Sequence, residues 1–448
     1  MDRIGYALSR ATDTKAMILG EGVLCEAGNL FKNNFPGKHA IIIATPGTYA
    51  LAGKSVREIL DKAGVAQDEP FIIDDPAFFA EWKYIDMVDD ILSGTDAIPV
   101  AVGSGTINDI CKLCSFHKKR RYMVIGTAAS MDGYTSFGAS ITYKGAKQTF
   151  PCRAPLAAIA DTDIMAKAPK EMTASGYADL FAKITAGADW IIADALGIEA
   201  IDPFSFGVVQ DDLKNALQNP EGVESGDPKA IAPLIEGLML SGFAMQSYHS
   251  SRTSSGADHQ FSHLWDMKHH RTADGKVPSH GFKVSIGTLM STSIYEQFMS
   301  TDIAKLDVEK CVEEWPPLEK QRTDALRMFK GTDFPTIGDT EITAKYVDKP
   351  HLREELLTLS NNWDEIRGKL NKQIIPFEKA SKMLKTAGAP IFPEEIGISR
   401  KQLRESAIQA QKIRRRFTIL DVAVQTGMME KWLDAIFAPG KPWGQENQ

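Results

Sequence analysis

The stretch "AIPVAVGSGTINDICK", residues 97–112, holds the reading that decides the fold. A run of apolar residues reaches Gly103-Ser104-Gly105 without a polar break, and the chain beyond it has helical spacing. Such a run, stopped by glycine, reads as a strand buried on both faces, as in a parallel sheet covered by helices. Glycine at the strand-to-helix turn lets the backbone come close to a phosphate, and the helix start offers unpaired N–H groups and a positive dipole. Residue 108 is Asn, so the pattern is not a complete G-x-G-x-x-G, and a plain strand–helix turn explains it equally well.

Working outward, four more runs have the same character: "HAIIIATPG" (39–47), "EPFIIDD" (69–75), "RYMVIGTAAS" (121–130) and "PLAAIADTD" (155–163). Between them, "TYALAGKSVREILDKAG" and "DDILSGTD" have helix periodicity. Strands alternating with helices predict a Rossmann-like α/β domain over residues 1–165 that binds a dinucleotide. Beyond it the strand signal fades. "ASGYADLFAKITAGADWIIADAL", "AIAPLIEGLMLSGFAMQSYHS", "KVSIGTLMSTSIYEQFMS" and the long stretch from Arg400 to Phe437 are helical in length and period. Residues 166–448 are therefore expected to form an all-helical metal- and substrate-binding domain. The stretches 202–229 and 300–350, polar and punctuated by proline and glycine, read as insertions between helices. An α/β domain followed by an all-α domain predicts a cleft between the two as the ligand site.

A length of 448 residues favours two domains, and 43% hydrophobic with 24% charged residues is the composition of a soluble globular protein. A net charge of −7 argues against nucleic acid as a partner. The first residues lack the apolar run of a signal peptide, and no stretch approaches a membrane span. The five cysteines have no disulfide-like framework. A cytoplasmic protein without membrane insertion is expected, assembled as a homo-oligomer such as a dimer. The C-x-x-C of Cys111 and Cys114 has no second pair, and its helical setting reads as two buried thiols.

Five of the nine histidines fall within residues 254–282. His259 and His263 are four apart, on one face of a helix. His280 follows in "PSHGF", where the next helix begins. A catalytic metal site takes ligands of this kind, commonly with one carboxylate. The candidate acid is Asp179, alone in the apolar helix "SGYADLFAK", where a buried carboxylate needs a metal or a salt link. His269 and His270 read as solvated loop residues, and His39, His117, His249 and His351 as structural. "VIGTAASMDGYTSFGAS" gives a second strand end, rich in small hydroxyl residues, with Asp132 as its acid.

The stretches "VGSGTINDICK", "GTAASMDGYTS", "GYADLFAKITAGADW", "SSRTSSGADHQFSHLWDM", "HGFKVSIGTL" and "RRRFTILDVAVQTG" together resemble the iron-containing alcohol dehydrogenase and dehydroquinate synthase superfamily. Within it they are most similar to the sn-glycerol-1-phosphate dehydrogenase group, in particular its bacterial form encoded with arabinose genes. The resemblance implies a metal-dependent NAD(P)H oxidoreductase that interconverts dihydroxyacetone phosphate and sn-glycerol-1-phosphate. It implies that Gly103, Ser104, Gly105, Thr106 and Ile107 line the cofactor with Thr127, Ala128, Ala129 and Ser130, and that Ser136 lies near it. It implies that Asp179, His259 and His280 hold one divalent ion (zinc, nickel or iron), and that Asp132, Asp179 and His263 face the phosphorylated substrate. The catalytic residues expected are His263, as proton relay or orienter of the substrate hydroxyl, and Asp179. Arg252 is a candidate for the substrate phosphate because its planar fork suits one.

Two departures from the family pattern stand out. An acid that favours NAD commonly follows the first strand, and Thr45 stands there instead, so NADP stays open. Phe282 replaces the usual Glu after the last histidine-glycine pair. Related readings are a metal-dependent polyol or alcohol dehydrogenase, a dehydroquinate-synthase-like enzyme, and a non-catalytic nucleotide- or metal-binding protein.

Overall fold

The computed structural model describes residues 2–144 and 146–444. Its strands are β1 (Ala16–Gly20), β2 (Ala40–Ala44), β3 (Phe71–Ile72), β4 (Ile98–Gly103), β5 (Met123–Gly126), β6 (Ala139–Tyr143), β7 (Ala146–Phe150) and β8 (Ala157–Asp161). Six of them form one sheet in the order β1-β8-β5-β4-β2-β3, with every pair parallel. All five expected strands are present. β2, β4, β5 and β8 are buried at every position, which is why their sequences are apolar without alternation. Ile42, Val100, Val102, Ile125 and Ile159 meet Phe31, Val56 and Leu60 in the core beside the sheet.

Two features were not expected from the sequence. β1 adds an edge to the sheet, and its five residues are only half-buried. β6 and β7 form a separate antiparallel hairpin. The stretches 202–229 and 300–350 are built largely of helices, including Pro203–Gln210, Pro220–Ser225, Val308–Glu314, Leu318–Phe329 and Ile337–Lys345. Pro220 occupies the first helical turn, where a missing N–H costs nothing. Proline that reads as a breaker is here a starter.

The helices that matter for function are α1 (Gly105–His117), α2 (Lys170–Phe181), α3 (Lys183–Ala195), α4 (Pro228–Tyr248), α5 (Ala257–Met267) and α6 (His280–Ser300). The chain divides into two compact units. One comprises Met1–Leu180, Gly207–Ser251 and Thr386–Gly388; the other comprises Phe181–Phe206, Arg252–Lys385 and Ala389–Gln448. The first holds the sheet, α1, α4 and nearly all of α2. The second is helical and holds α3, α5 and α6. Position 165 ends the short helix Thr162–Met165 that follows β8. Among the described residues no helix is long and apolar enough to cross a membrane.

Candidate metal and cofactor site

Parallel pairing in register brings the carboxyl ends of β4 and β5 side by side, with Gly103 opposite Gly126. The Thr127 N–H donates to the Gly103 carbonyl at 3.1 Å. The two glycine- and hydroxyl-rich turns therefore lie together at one end of the sheet, where ligands of open parallel sheets bind. Ser104 precedes α1 as its cap residue, yet its side chain caps no N–H. The first turn of α1 thus keeps its donors available to an anion.

Asn108, which breaks the glycine pattern, has a role of its own. Its Nδ2 donates to the Gly133 carbonyl at 3.1 Å, and its Oδ1 accepts from the Tyr122 hydroxyl at 2.9 Å. The buried Lys112 ammonium donates to the carbonyls of Gly133 and Gly138, each at 2.9 Å. One face of α1 thereby fixes the second turn relative to the first. Ala128 and Ala129 are buried, Tyr134 donates to the Ala128 carbonyl at 2.8 Å, and Ser175 on α2 donates to the Ser130 carbonyl at 3.3 Å. A Cβ on Gly176 would stand 1.9 Å from the Ala129 carbonyl oxygen, so α2 touches this turn backbone to backbone. Ser136 lies just beyond, its hydroxyl on the Gly133 carbonyl at 3.2 Å.

Asp179 is fully buried in the last turn of α2, and its Oδ2 accepts the Asp132 N–H at 3.0 Å. Asp132 in turn accepts the Ser241 hydroxyl of α4 at 2.8 Å. α4 approaches this turn so closely that a Cβ on Gly242 would lie 2.1 Å from Thr135 Oγ1.

The histidine helix α5 carries His259 and His263 one turn apart, and α6 opens with His280 behind the Ser279 cap. The ring centroids of His259 and His280 are 5.2 Å apart, and that of His263 lies 6.2 Å from the first and 6.4 Å from the second. Asp179, His259 and His280 each present one ligand-type atom, and these atoms lie within 4.8 Å of one another. That spread suits one ion with bonds of about 2 Å after little adjustment. The Asp258 carboxylate takes the Nδ1 side of His259, leaving Nε2 as the ligand nitrogen. Asp258 is fully buried. Burial pushes its carboxyl up, but the His259 ring, the Thr185 hydroxyl at 2.7 Å and the Gly256 N–H outweigh this and leave it below the usual range.

Asp189 on α3, also fully buried, holds the start of α5. It accepts the Ala257 N–H at 2.7 Å, the Tyr295 hydroxyl at 2.6 Å and the Ile419 N–H at 2.8 Å. Burial pushes its carboxyl up to about 7 despite these donors. α6 crosses α5 at Gly287, where a Cβ would stand 2.2 Å from the Asp258 carbonyl oxygen. The segment 414–418 is strapped over the same end of α5. Gln260 donates to the Arg416 carbonyl at 3.3 Å, and Arg416 donates to the Ser255 carbonyl at 2.5 Å.

Arg252 departs from the expectation of a substrate contact. Its side chain has no exposed surface, and its fork serves the protein itself, donating to the carbonyls of Phe417 at 2.7 Å and Asp189 at 2.9 Å while facing Glu199 at 3.3 Å. His270, expected in solvent, bonds the Ile396 carbonyl at 2.6 Å, whereas His269 is exposed beside Asp333. Thr45 caps the short helix Pro46–Thr48 in a reciprocal pair with Thr48, so no carboxylate stands at the end of β2. Cys111 and Cys114 are buried free thiols, as expected. Asp258, Asp189 and the strap at 414–418 escaped sequence reasoning. The signal that singled out Asp179, a lone acid in an apolar helix, applies equally to Asp189.

The family model of the iron-containing alcohol dehydrogenases matches residues 18–169. A glycerol-1-phosphate dehydrogenase [NAD(P)+] of Halalkalibacterium halodurans is 33% identical over 58% of this chain, which spans 65% of that relative's length. The enzyme of the same name from Geobacillus stearothermophilus is 30% identical over 72% of this chain and 70% of its own. The chain belongs to the glycerol-1-phosphate dehydrogenase family. A solved structure described as a probable glycerol dehydrogenase, from Sinorhizobium meliloti, has the same fold, with a TM-score of 0.57 at 14% identity over 94% of this chain and 98% of its own.

Proposed function

We propose that the chain interconverts dihydroxyacetone phosphate and sn-glycerol-1-phosphate with NAD or NADP, using one divalent ion held by Asp179, His259 and His280. The observation that carries this reading is the meeting of one carboxylate and two imidazoles within 4.8 Å, in a member of this family. Such a donor set suits zinc, nickel and iron alike. When bound, the ion supplies Lewis-acid polarisation of the substrate oxygen. Gly103 to Ile107 and Thr127 to Ser130 receive the pyrophosphate and ribose, through backbone N–H groups and the uncapped start of α1, with Ser136 alongside. Asp132 and His263 face the substrate. The His263 imidazole accepts the proton of the substrate hydroxyl as hydride passes to the nicotinamide, and as imidazolium returns it to the substrate oxygen in the reverse direction. On this reading residues 1–165 serve the cofactor and residues 166–448 the metal and substrate. The free cysteines suit a reducing, cytoplasmic setting.

The test is NADH and NADPH oxidation by metal-replete protein with dihydroxyacetone phosphate, set against free dihydroxyacetone. Selective turnover of the phosphorylated ketone is expected. His263→Ala is expected to slow it by about 10²- to 10⁴-fold with the metal retained, and His259→Ala to lose the metal by elemental analysis. Equal reduction of both ketones replaces this reading with a polyol dehydrogenase, and no reduction with either cofactor refutes it.

A further inference from the structure

We infer that Lys112, on the helix that opens at the cofactor turn, is a positioning residue for the metal-binding carboxylate of Asp179. This rests on the metal set proposed above and adds to it a residue that touches neither ion nor substrate. The Lys112 side chain has no exposed surface. Its ammonium donates to the Gly133 and Gly138 carbonyls, both at 2.9 Å, and to Asp109 Oδ1 at 3.2 Å. The second oxygen of Asp109 accepts the Ser140 N–H at 3.1 Å. One pair of charges on α1 thus grips the backbone at residues 133, 138 and 140. A buried ammonium is costly unless acceptors surround it. Here two of the acceptors are carbonyls of a segment, 131–138, that is neither helix nor strand.

Three donors meet at the Gly133 carbonyl. They are Lys112 Nζ, Asn108 Nδ2 at 3.1 Å from one turn earlier on the same face of α1, and the Ser136 hydroxyl at 3.2 Å. The bond from the ammonium is the charge-assisted one, and such bonds are about twice as strong as neutral ones. A carbonyl held in this way does not rotate, and the residue before it is Asp132. The Asp132 N–H donates to Asp179 Oδ2 at 3.0 Å. Only the α-carbons of residues 132 and 133, with the peptide between them, separate that N–H from the fixed carbonyl. From the other side, α4 holds the side chains of the same turn: the Ser241 hydroxyl donates to the Asp132 carboxylate at 2.8 Å, and the Thr135 hydroxyl donates to the Met239 carbonyl at 2.7 Å. Lys112 therefore fixes the backbone of the turn where α4 fixes its side chains. An N–H on one oxygen sets the rotation of the Asp179 carboxylate, and outer partners of this kind are worth about 10- to 100-fold in metal affinity.

Lys112→Met removes the ammonium at nearly constant length but strands the Asp109 carboxylate. Lys112→Met/Asp109→Asn is therefore measured beside it, because it removes both charges together and keeps an oxygen for the Ser140 N–H. Zinc affinity is read by competition with a chelator, and NADH affinity by fluorescence titration. Amide exchange across residues 131–135 is read by mass spectrometry on metal-free protein. The variants are expected to bind zinc about 10- to 100-fold more weakly while NADH affinity stays within about threefold of wild type. The Asp132 amide should exchange about tenfold faster or more, since its bond to Asp179 opens more often. Zinc affinity within about twofold of wild type overturns the inference, as does a loss for NADH that matches the loss for zinc. Unchanged exchange at Asp132 overturns it too. If the wild-type protein binds no divalent ion, the parent reading fails on its own, and exchange at Asp132 in the metal-free protein still decides whether Lys112 orders the donor to Asp179.

Discussion

Replacing Gly287 by Ala tests whether the metal site depends on how closely α6 crosses α5. The added methyl would lie 2.2 Å from the Asp258 carbonyl oxygen, with the carbonyl carbon at 3.0 Å and Cα at 3.2 Å, so every nearby atom is backbone and none can rotate away. Restoring ordinary contact at about 3.4 Å requires a retreat of roughly 1.2 Å by the first turn of α5 or by α6. Overpacking of this kind costs about 1–3 kcal/mol. Alanine offsets about 0.5–1 kcal/mol of that by its better helix propensity. The net loss, about 0–2.5 kcal/mol, lowers Tm by at most a few degrees. The site is far less tolerant. His259 is the next residue after Asp258, and metal geometry holds to about 0.2 Å. Shifting a residue by about 1 Å at a reacting centre costs on the order of 10²-fold in rate. Gly287→Ala should therefore fold, melt within a few degrees of wild type, bind metal at least tenfold more weakly, and lose about 10²-fold in kcat/KM. Calorimetry, metal titration with a competing chelator, and steady-state kinetics check each part. Wild-type metal affinity together with wild-type kcat/KM would refute the reasoning, because it would mean the crossing can open without moving the ligand.

The same contrast applies at the cofactor turns. Gly176→Ala should weaken NADH binding more than tenfold in a fluorescence titration, since its Cβ meets the Ala129 carbonyl at 1.9 Å, and should weaken metal binding as well because Asp179 lies one turn further along α2. Gly105→Ala should be milder, because its Cβ meets only the mobile end of Met131 at 2.7 Å. Asp189→Asn keeps two acceptor contacts but turns an amide N–H₂ toward the Ala257 N–H, and should cost about 2–3 kcal/mol in denaturant unfolding. Iodoacetamide should label exposed Cys25 in the native protein and reach Cys111 and Cys114 only after denaturation. Burial raises both thiols far above their ordinary value, so raising the pH to about 9 should not bring them into reaction by mass spectrometry.

How much the sequence disclosed follows from what each element requires. β2, β4, β5 and β8 are buried on both faces, so their runs are apolar throughout except for Asp161 at the very end of β8. β1 is a half-buried edge strand, and β6 and β7 pair only with each other. Neither setting forces a long apolar run, and neither was legible. The pairing of His259 with His263 is a matter of helical spacing and is visible in one dimension. The roles of Asp179 and Asp189 are not, because both are fully buried acids flanked by apolar residues in their helices. Only the partners distinguish them: Asp189 accepts from Ala257 at the start of α5, from Tyr295 on α6 and from Ile419, whereas Asp179 faces the Asp132 N–H and stands among ligand-type atoms. Arg252 illustrates the same limit. Its sequence neighbourhood suggests a ligand contact, and only its complete burial reveals a structural brace.

The strap over α5 also has a meaning in time. Arg416 meets Ser255 across 161 residues, and Ile419 meets Asp189 across 230. A ribosome finishes both histidine helices long before it makes the residues that lock them, so the growing chain carries imidazoles without the frame that aims them. Contacts this distant in sequence form late and slowly. The start of the histidine helix is therefore fixed only after the strap has been made and has closed.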